Sequence, residues 1–285
     1  MKNQTRRKFF RTAGAGLAGM AALPGLGKAA GPIAPTVLQS DVEIGIASYG
    51  LRSLSVDEVI ELMNDLQLSK ISIKSMHLPY DLNPADIERT MMKIRSAGLD
   101  PYAVGVIYMT SIEEMAKAFD YAKIAQIGMI VGVPDYNILD LAEQKVKAYD
   151  IKLAIHNHGP DGMLYPNAME VYKRIKDKDI RIGICMDVAH IARSGIDPVE
   201  EIYAVKDRLI DVHLRDNTAF TKDGKACRPG QGNLDLPAII RTLREVGYKG
   251  VYTIEYGIEE DTPLTGTALT VGYIQGILAA LPDNY

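Results

Sequence analysis

Eight short apolar runs recur along this chain, each followed by a longer stretch with apolar residues at helical spacing. That alternation is the pattern of parallel strands joined by crossover helices. The runs are residues 42–47, 70–73, 102–107, 129–133, 152–156, 182–187, 209–214 and 251–255. Helix boundaries between them carry their own signals. Ser55 followed three residues later by Glu58 makes a capping box, and Asn83 before Pro84 sets an N-cap ahead of the residue favoured at the first helical position. Gly98 and Gly247 close helices in the left-handed stop position, each followed by an apolar or aromatic residue that packs back on the last turn. About thirty residues per unit matches a single (β/α)8 TIM barrel of the α/β class better than a doubly wound open sheet. No linker-like segment divides residues 42–285, which are read as one barrel domain.

The first 41 residues stand outside this pattern. Arg6 and Arg7, then Phe9 and Phe10, precede a weakly apolar Gly/Ala-rich segment and small residues up to Ala30. Residues 1–30 therefore read as an export signal of the twin-arginine type, and 31–41 as an N-terminal segment. The mature chain is expected in the periplasm, exported by the twin-arginine route. Over the full sequence, 32 Lys+Arg against 36 Asp+Glu give a net charge of -4, which offers no long-range attraction to a polyanion, so no nucleic-acid partner is expected. No membrane association is expected once the signal is removed, because the body of the chain lacks a run of about 18 uninterrupted apolar residues. Two cysteines, Cys185 and Cys227, are too few for a disulfide framework; Cys185 reads as core. A homo-oligomer is left open.

In a barrel of this kind the chemistry lies at the carboxyl ends of the strands. Four consecutive strands end in groups that ionise or bind metal: Ile155-His156-Asn157-His158-Gly159, Cys185-Met186-Asp187, Val212-His213-Leu214-Arg215, and Ile254-Glu255-Tyr256. Alternation along each strand sends His156, Asp187, His213 and Glu255 inward. Four of the chain's 5 histidines fall in this region. Two carboxylates buried in a barrel mouth demand a compensating cation, and two imidazoles beside them suit one divalent Mn, Co or Zn ion better than Mg. The bland alternative is a buried ion-pair network. His158, two residues beyond His156, is an alternative strand-five ligand or an acid–base group. Lys74 at the end of strand two, and His77 past it, are within reach of a substrate hydroxyl; Tyr49, Arg52 and Tyr108 are candidates for the pocket wall. Gly230-Gln231-Gly232 is too short a signal for a phosphate cradle.

The run Ile-His-Asn-His-Gly, then Met-Asp187-Val-Ala-His190, Asp-Val-His213-Leu-Arg215, Pro229-Gly-Gln-Gly232-Asn-Leu-Asp235 and Gly247-Tyr-Lys-Gly-Val-Tyr-Thr-Ile-Glu255 resembles the xylose isomerase-like TIM barrels. That group contains sugar phosphate isomerases and epimerases, inosose dehydratase and endonuclease IV. The resemblance implies that Asp187, His213 and Glu255 are metal ligands, with His156 where the epimerases carry a ligating glutamate. It places His190 and Arg215 beside substrate oxygens, and Asn157 and Lys74 are assigned to substrate with them. Glu255 or His158 then takes a proton next to a carbonyl, through an enediolate, in a metal-dependent sugar isomerase or epimerase. Because His156 replaces one carboxylate, a lyase or dehydratase acting on a keto-sugar or keto-glycoside is the alternative. A non-catalytic sugar-binding barrel is the reading from another class.

Overall fold

The described residues all lie within one compact unit, Ser40–Tyr285. The computed structural model describes residues 42–162, 164–258 and 262–281, so the expected export signal and the 31–41 segment lie outside the described residues. The elements run β1 (Ile44–Ala47), α1 (Val56–Asp65), β2 (Lys70–Ile73), α2 (Pro84–Ser96), β3 (Asp100–Met109), α3 (Ile112–Ile124), β4 (Met129–Pro134), α4 (Leu139–Tyr149), β5 (Lys152–His156) and α5 (Ala168–Ile175). They continue with β6 (Ile182–Asp187), α6 (Val188–Arg193), α7 (Pro198–Val205), β7 (Leu209–Leu214), the short pair β8 (Asp216–Asn217) and β9 (Ala226–Cys227), α8 (Leu236–Glu245), β10 (Tyr252–Ile254) and α9 (Pro263–Ala280). Eight of these strands form a closed parallel barrel in the order β1-β2-β3-β4-β5-β6-β7-β10, with β10 returning to β1: a TIM barrel.

The helix signals act as the sequence suggests. Ser55 and Glu58 form the reciprocal capping box of α1, and the Asn83 side chain accepts from the Asp86 amide ahead of Pro84. Gly98 and Gly247 have φ values of +86 and +73. Strands β2, β5, β6 and β7 have the expected bounds, whereas β1 starts at Ile44 rather than Val42 and β3 is longer than the expected 102–107.

β3 also carries a local irregularity. Its pairing with β4 slips between Val104 and Ile107, where Gly105 takes a φ of +120 and any side chain would run into the Val131 carbonyl. One extra residue in a strand reverses the faces of those that follow. Tyr108 is thereby turned toward the barrel mouth, where its hydroxyl meets His158.

Apolar packing occupies two places. Most of the core lies between strands and helices and includes Phe119, Ile155, Met186 and Leu243. A smaller group, Ala103, Met129, Val131, Ala154 and Cys185, fills the barrel interior, so Cys185 is core as expected. At about 1.5–3 kcal/mol for each large apolar side chain fully buried, these layers hold the rim rigidly enough to position polar groups.

Candidate metal centre

Barrel closure makes β5, β6, β7 and β10 consecutive neighbours, and register sets their tips at graded heights. Asp187 pairs with His213 across β6 and β7, while His156 pairs with Cys185 and His213 with Thr253. Glu255 follows β10, two residues past Thr253. One donor atom from each of His156, Asp187, His213 and Glu255 lies within 4.8 Å of all the others, and all four side chains are buried. His156 Nε2 is 3.2 Å from His213 Nδ1 and 3.8 Å from Asp187 Oδ2, and His213 Nδ1 is 3.5 Å from Glu255 Oε2. Donors each about 2.0–2.2 Å from one ion stand roughly 3.0–3.5 Å apart, so two of these edges match a single small dication and the 3.8 Å edge is slightly longer. The mixture of two imidazoles and two carboxylates fits a first-row divalent ion.

Each carboxylate is shared. Asp187 is also the N-cap of α6: its Oδ1 accepts from the amides of Ala189 and His190 at 3.0 and 2.9 Å, while Arg215 lies 2.7 Å from Oδ2. Glu255 Oε1 is 3.2 Å from the Lys74 ammonium. Burial pushes both carboxyls up. Arg215 and His190 outweigh it at Asp187, and Lys74 followed by His213 outweighs it at Glu255, so both are held below their usual range. Burial, before any neighbour, drives the imidazoles the other way. His156 falls well below its ordinary value, His158 is lowered, and His190 is pushed down to about 4.

His158 and His190 stand half-buried above this set, their ring centroids 5.9 Å apart, and His158 Nε2 is 2.7 Å from the Tyr108 hydroxyl. Arg215 and His190 sit against Asp187, and Lys74 is buried rather than a surface cation. Asn157, expected to contact substrate, is fully buried and spends its amide on strand β6, accepting from the Asp187 amide at 2.9 Å and donating to the Asp187 carbonyl at 3.3 Å. His77 has both ring nitrogens engaged inside the protein, with Ser48 Oγ at 2.9 Å and the Leu54 carbonyl at 3.1 Å. Tyr49 is exposed, with the Arg52 guanidinium 5.1 Å from its ring centre.

Sequence reasoning passed over a buried layer below the donors. Asp211, Tyr102 and Thr253 are joined there, with the Tyr102 hydroxyl 3.2 Å from Asp211 Oδ1. The signal was present: Asp211 and Thr253 each stand two residues before a donor, on the same inward face. Asp216 was also missed. Its carboxylate accepts the amides of Asn217, Gly230, Gly232 and Leu234, so the Gly230 and Gly232 amides are turned to a side chain rather than to a phosphate.

Residues 107–274 match the family described as the xylose isomerase-like TIM barrel. An uncharacterised protein of Methanocaldococcus jannaschii is 26% identical over 219 residues, covering 74% of this chain and 73% of its own. An inosose dehydratase of Lacticaseibacillus casei is 22% identical over 132 residues, a match that spans 41% of this chain and 44% of the dehydratase. Among solved structures, the IolI protein with a zinc atom bound superposes with a TM-score of 0.72 at 17% identity, covering 84% of this chain and 98% of IolI. L-ribulose 3-epimerase superposes at 0.68 with 15% identity, covering 84% and 95%. The closed eight-stranded barrel and the family match over more than half the sequence together make this chain a member of the xylose isomerase-like TIM barrel family.

Proposed function

We propose that this protein is a divalent-cation-dependent isomerase or epimerase of an unphosphorylated sugar, working in the periplasm after twin-arginine export. The observation that carries the reading is the convergence of His156, Asp187, His213 and Glu255 within 4.8 Å. A cation bound by these four residues would hold two adjacent substrate oxygens and lower the energy of an enediolate. The zinc in IolI supports the cation, and the epimerase and dehydratase among the similar proteins support a sugar substrate.

Between the two candidate bases, the geometry favours His158. Glu255 is tied to Lys74 and held far below the ordinary carboxylate range, which makes it a weak base. His158 is neutral at pH 7, half-exposed at the mouth, and has its Nε2 against the Tyr108 hydroxyl. It takes the substrate proton, and Tyr108 keeps its ring aimed at the mouth. Arg215 and His190 orient substrate oxygens from the Asp187 side.

A second reading, a lyase or dehydratase of a keto-sugar or keto-glycoside, is favoured by one feature. His156 occupies a donor position where a second carboxylate would serve two-sided proton exchange, and elimination needs only one base. Incubating the purified chain with a panel of sugars, keto-sugars and glycosides in D₂O separates these readings by mass spectrometry. An isomerase or epimerase returns product of substrate mass with deuterium beside the carbonyl, whereas a lyase product has lost water or a leaving group. His213→Ala and Asp187→Ala should lose both the stoichiometric ion and the turnover. Sugar binding without exchange or mass change across the panel overturns both enzymatic readings and leaves a sugar-binding barrel.

A further inference from the structure

Beneath the four donors lies a buried carboxylate that the proposed reaction leaves unused. Asp211 stands two residues before His213 on β7 and is fully buried. Its Oδ1 is held by the Tyr102 hydroxyl of β3 at 3.2 Å and the Thr253 hydroxyl of β10 at 3.3 Å, and those two hydroxyls are 2.5 Å apart. Its Oδ2 meets no nitrogen or oxygen donor at hydrogen-bond distance, and the buried Cys185 thiol of β6, a weak donor, also bears on this carboxylate. Facing it at 3.8 Å is His213 Nε2, which is also buried and has no hydrogen-bond partner. Leaving two such atoms unanswered costs about 1–3 kcal/mol each, and the pair is placed to answer itself by a small closure of the gap. The opposite ring nitrogen, Nδ1, is the one turned to His156 Nε2 and Glu255 Oε2. A neutral imidazole offers a lone pair from one nitrogen only while the other carries the proton.

We propose that Asp211 is the positioning residue of the cation site: its Oδ2 accepts the Nε2–H of His213 and so fixes the tautomer that presents Nδ1 to the ion. The inference rests on the reading of the four donors as a cation site. Asp211 touches neither ion nor substrate. It acts through His213 alone, and the hydroxyls of Thr253 on the neighbouring strand β10 and of Tyr102 on β3 across the barrel anchor it. His156 lacks this support, since its Nδ1 has no hydrogen-bond partner. The two ligand imidazoles are therefore unequal, with His213 oriented from inside the barrel.

Zinc titrated into the chelator-stripped, ¹⁵N-histidine-labelled chain tests this by long-range proton–nitrogen spectra and by competition with a chromophoric chelator. The wild type should bind one zinc with His213 ligating through Nδ1 and carrying a slowly exchanging, downfield Nε2 proton. Asp211→Asn should weaken zinc affinity about 10–100-fold and move that proton upfield, with the circular dichroism of the metal-free chain unchanged. Zinc bound through His213 Nε2 in the wild type overturns the inference, and that spectrum decides the matter even where the variant fails to fold. So does a folded Asp211→Asn with wild-type affinity and unaltered His213 signals. A wild type that takes up no zinc overturns the cation site itself, an outcome distinct from the other two.

Discussion

At the scale of single residues, burial is what prepares the imidazoles for chemistry. His190 is pushed down to about 4 and His158 is lowered, in each case chiefly by loss of water. A base must be neutral, and a histidine with a lowered value stays neutral as pH falls past 6.5. The acid limb of kcat/KM is therefore expected below pH 6.5; a limb centred above that value in a pH–rate profile removes His158 as the base. Tyr108→Phe should lower kcat about 10-fold while leaving bound metal unchanged, since general acid–base groups contribute about 100- to 10,000-fold in total. An unchanged kcat would take Tyr108 out of the reaction. Residue types and spacing made the donor quartet legible. They could not separate Asn157 from its neighbours, because its bonds to the Asp187 backbone come from a strand distant in sequence.

Secondary-structure elements do more here than carry side chains. Asp187 ends β6 and caps α6 with one oxygen, which leaves the other turned to the donor set. The cap fixes the carboxylate's rotation at no expense to its second oxygen. Asp216 plays the comparable part for the segment after β7, gathering four amides of 217–234 onto one buried carboxylate. A side chain at Gly232 would collide with that carboxylate. Asp216→Ala should cost about 3 kcal/mol in denaturant unfolding and open residues 218–232 to limited proteolysis, with far-ultraviolet circular dichroism of the barrel retained. A loop as resistant as the wild type's would mean that Asp216 does not hold it. Strand positions were readable from apolar runs, and helix starts from Ser55 and Asn83. The bulge at Gly105 was not, since a glycine within a strand marks an irregularity without saying which way the following residues turn.

For the whole molecule, the proposed export would require the barrel to close first, because the twin-arginine route carries folded chains. Replacing Arg6 and Arg7 by Lys should retain the protein in the cytoplasm on cell fractionation; undiminished periplasmic protein would end the twin-arginine reading. The sequence by itself determined the number and order of strands, the helix caps and the inward phase of His156, Asp187, His213 and Glu255, because periodicity and capping are local and repeat within a few residues. Tertiary structure alone decided how far apart the four tips stand, that Lys74 and Arg215 each take one carboxylate, and that Asp211 faces His213 from below. Those facts depend on stagger between strands and on contacts across the barrel. Side chains 151 residues apart, as with Tyr102 and Thr253, or further, as with Lys74 and Glu255, meet only once the sheet has closed on itself.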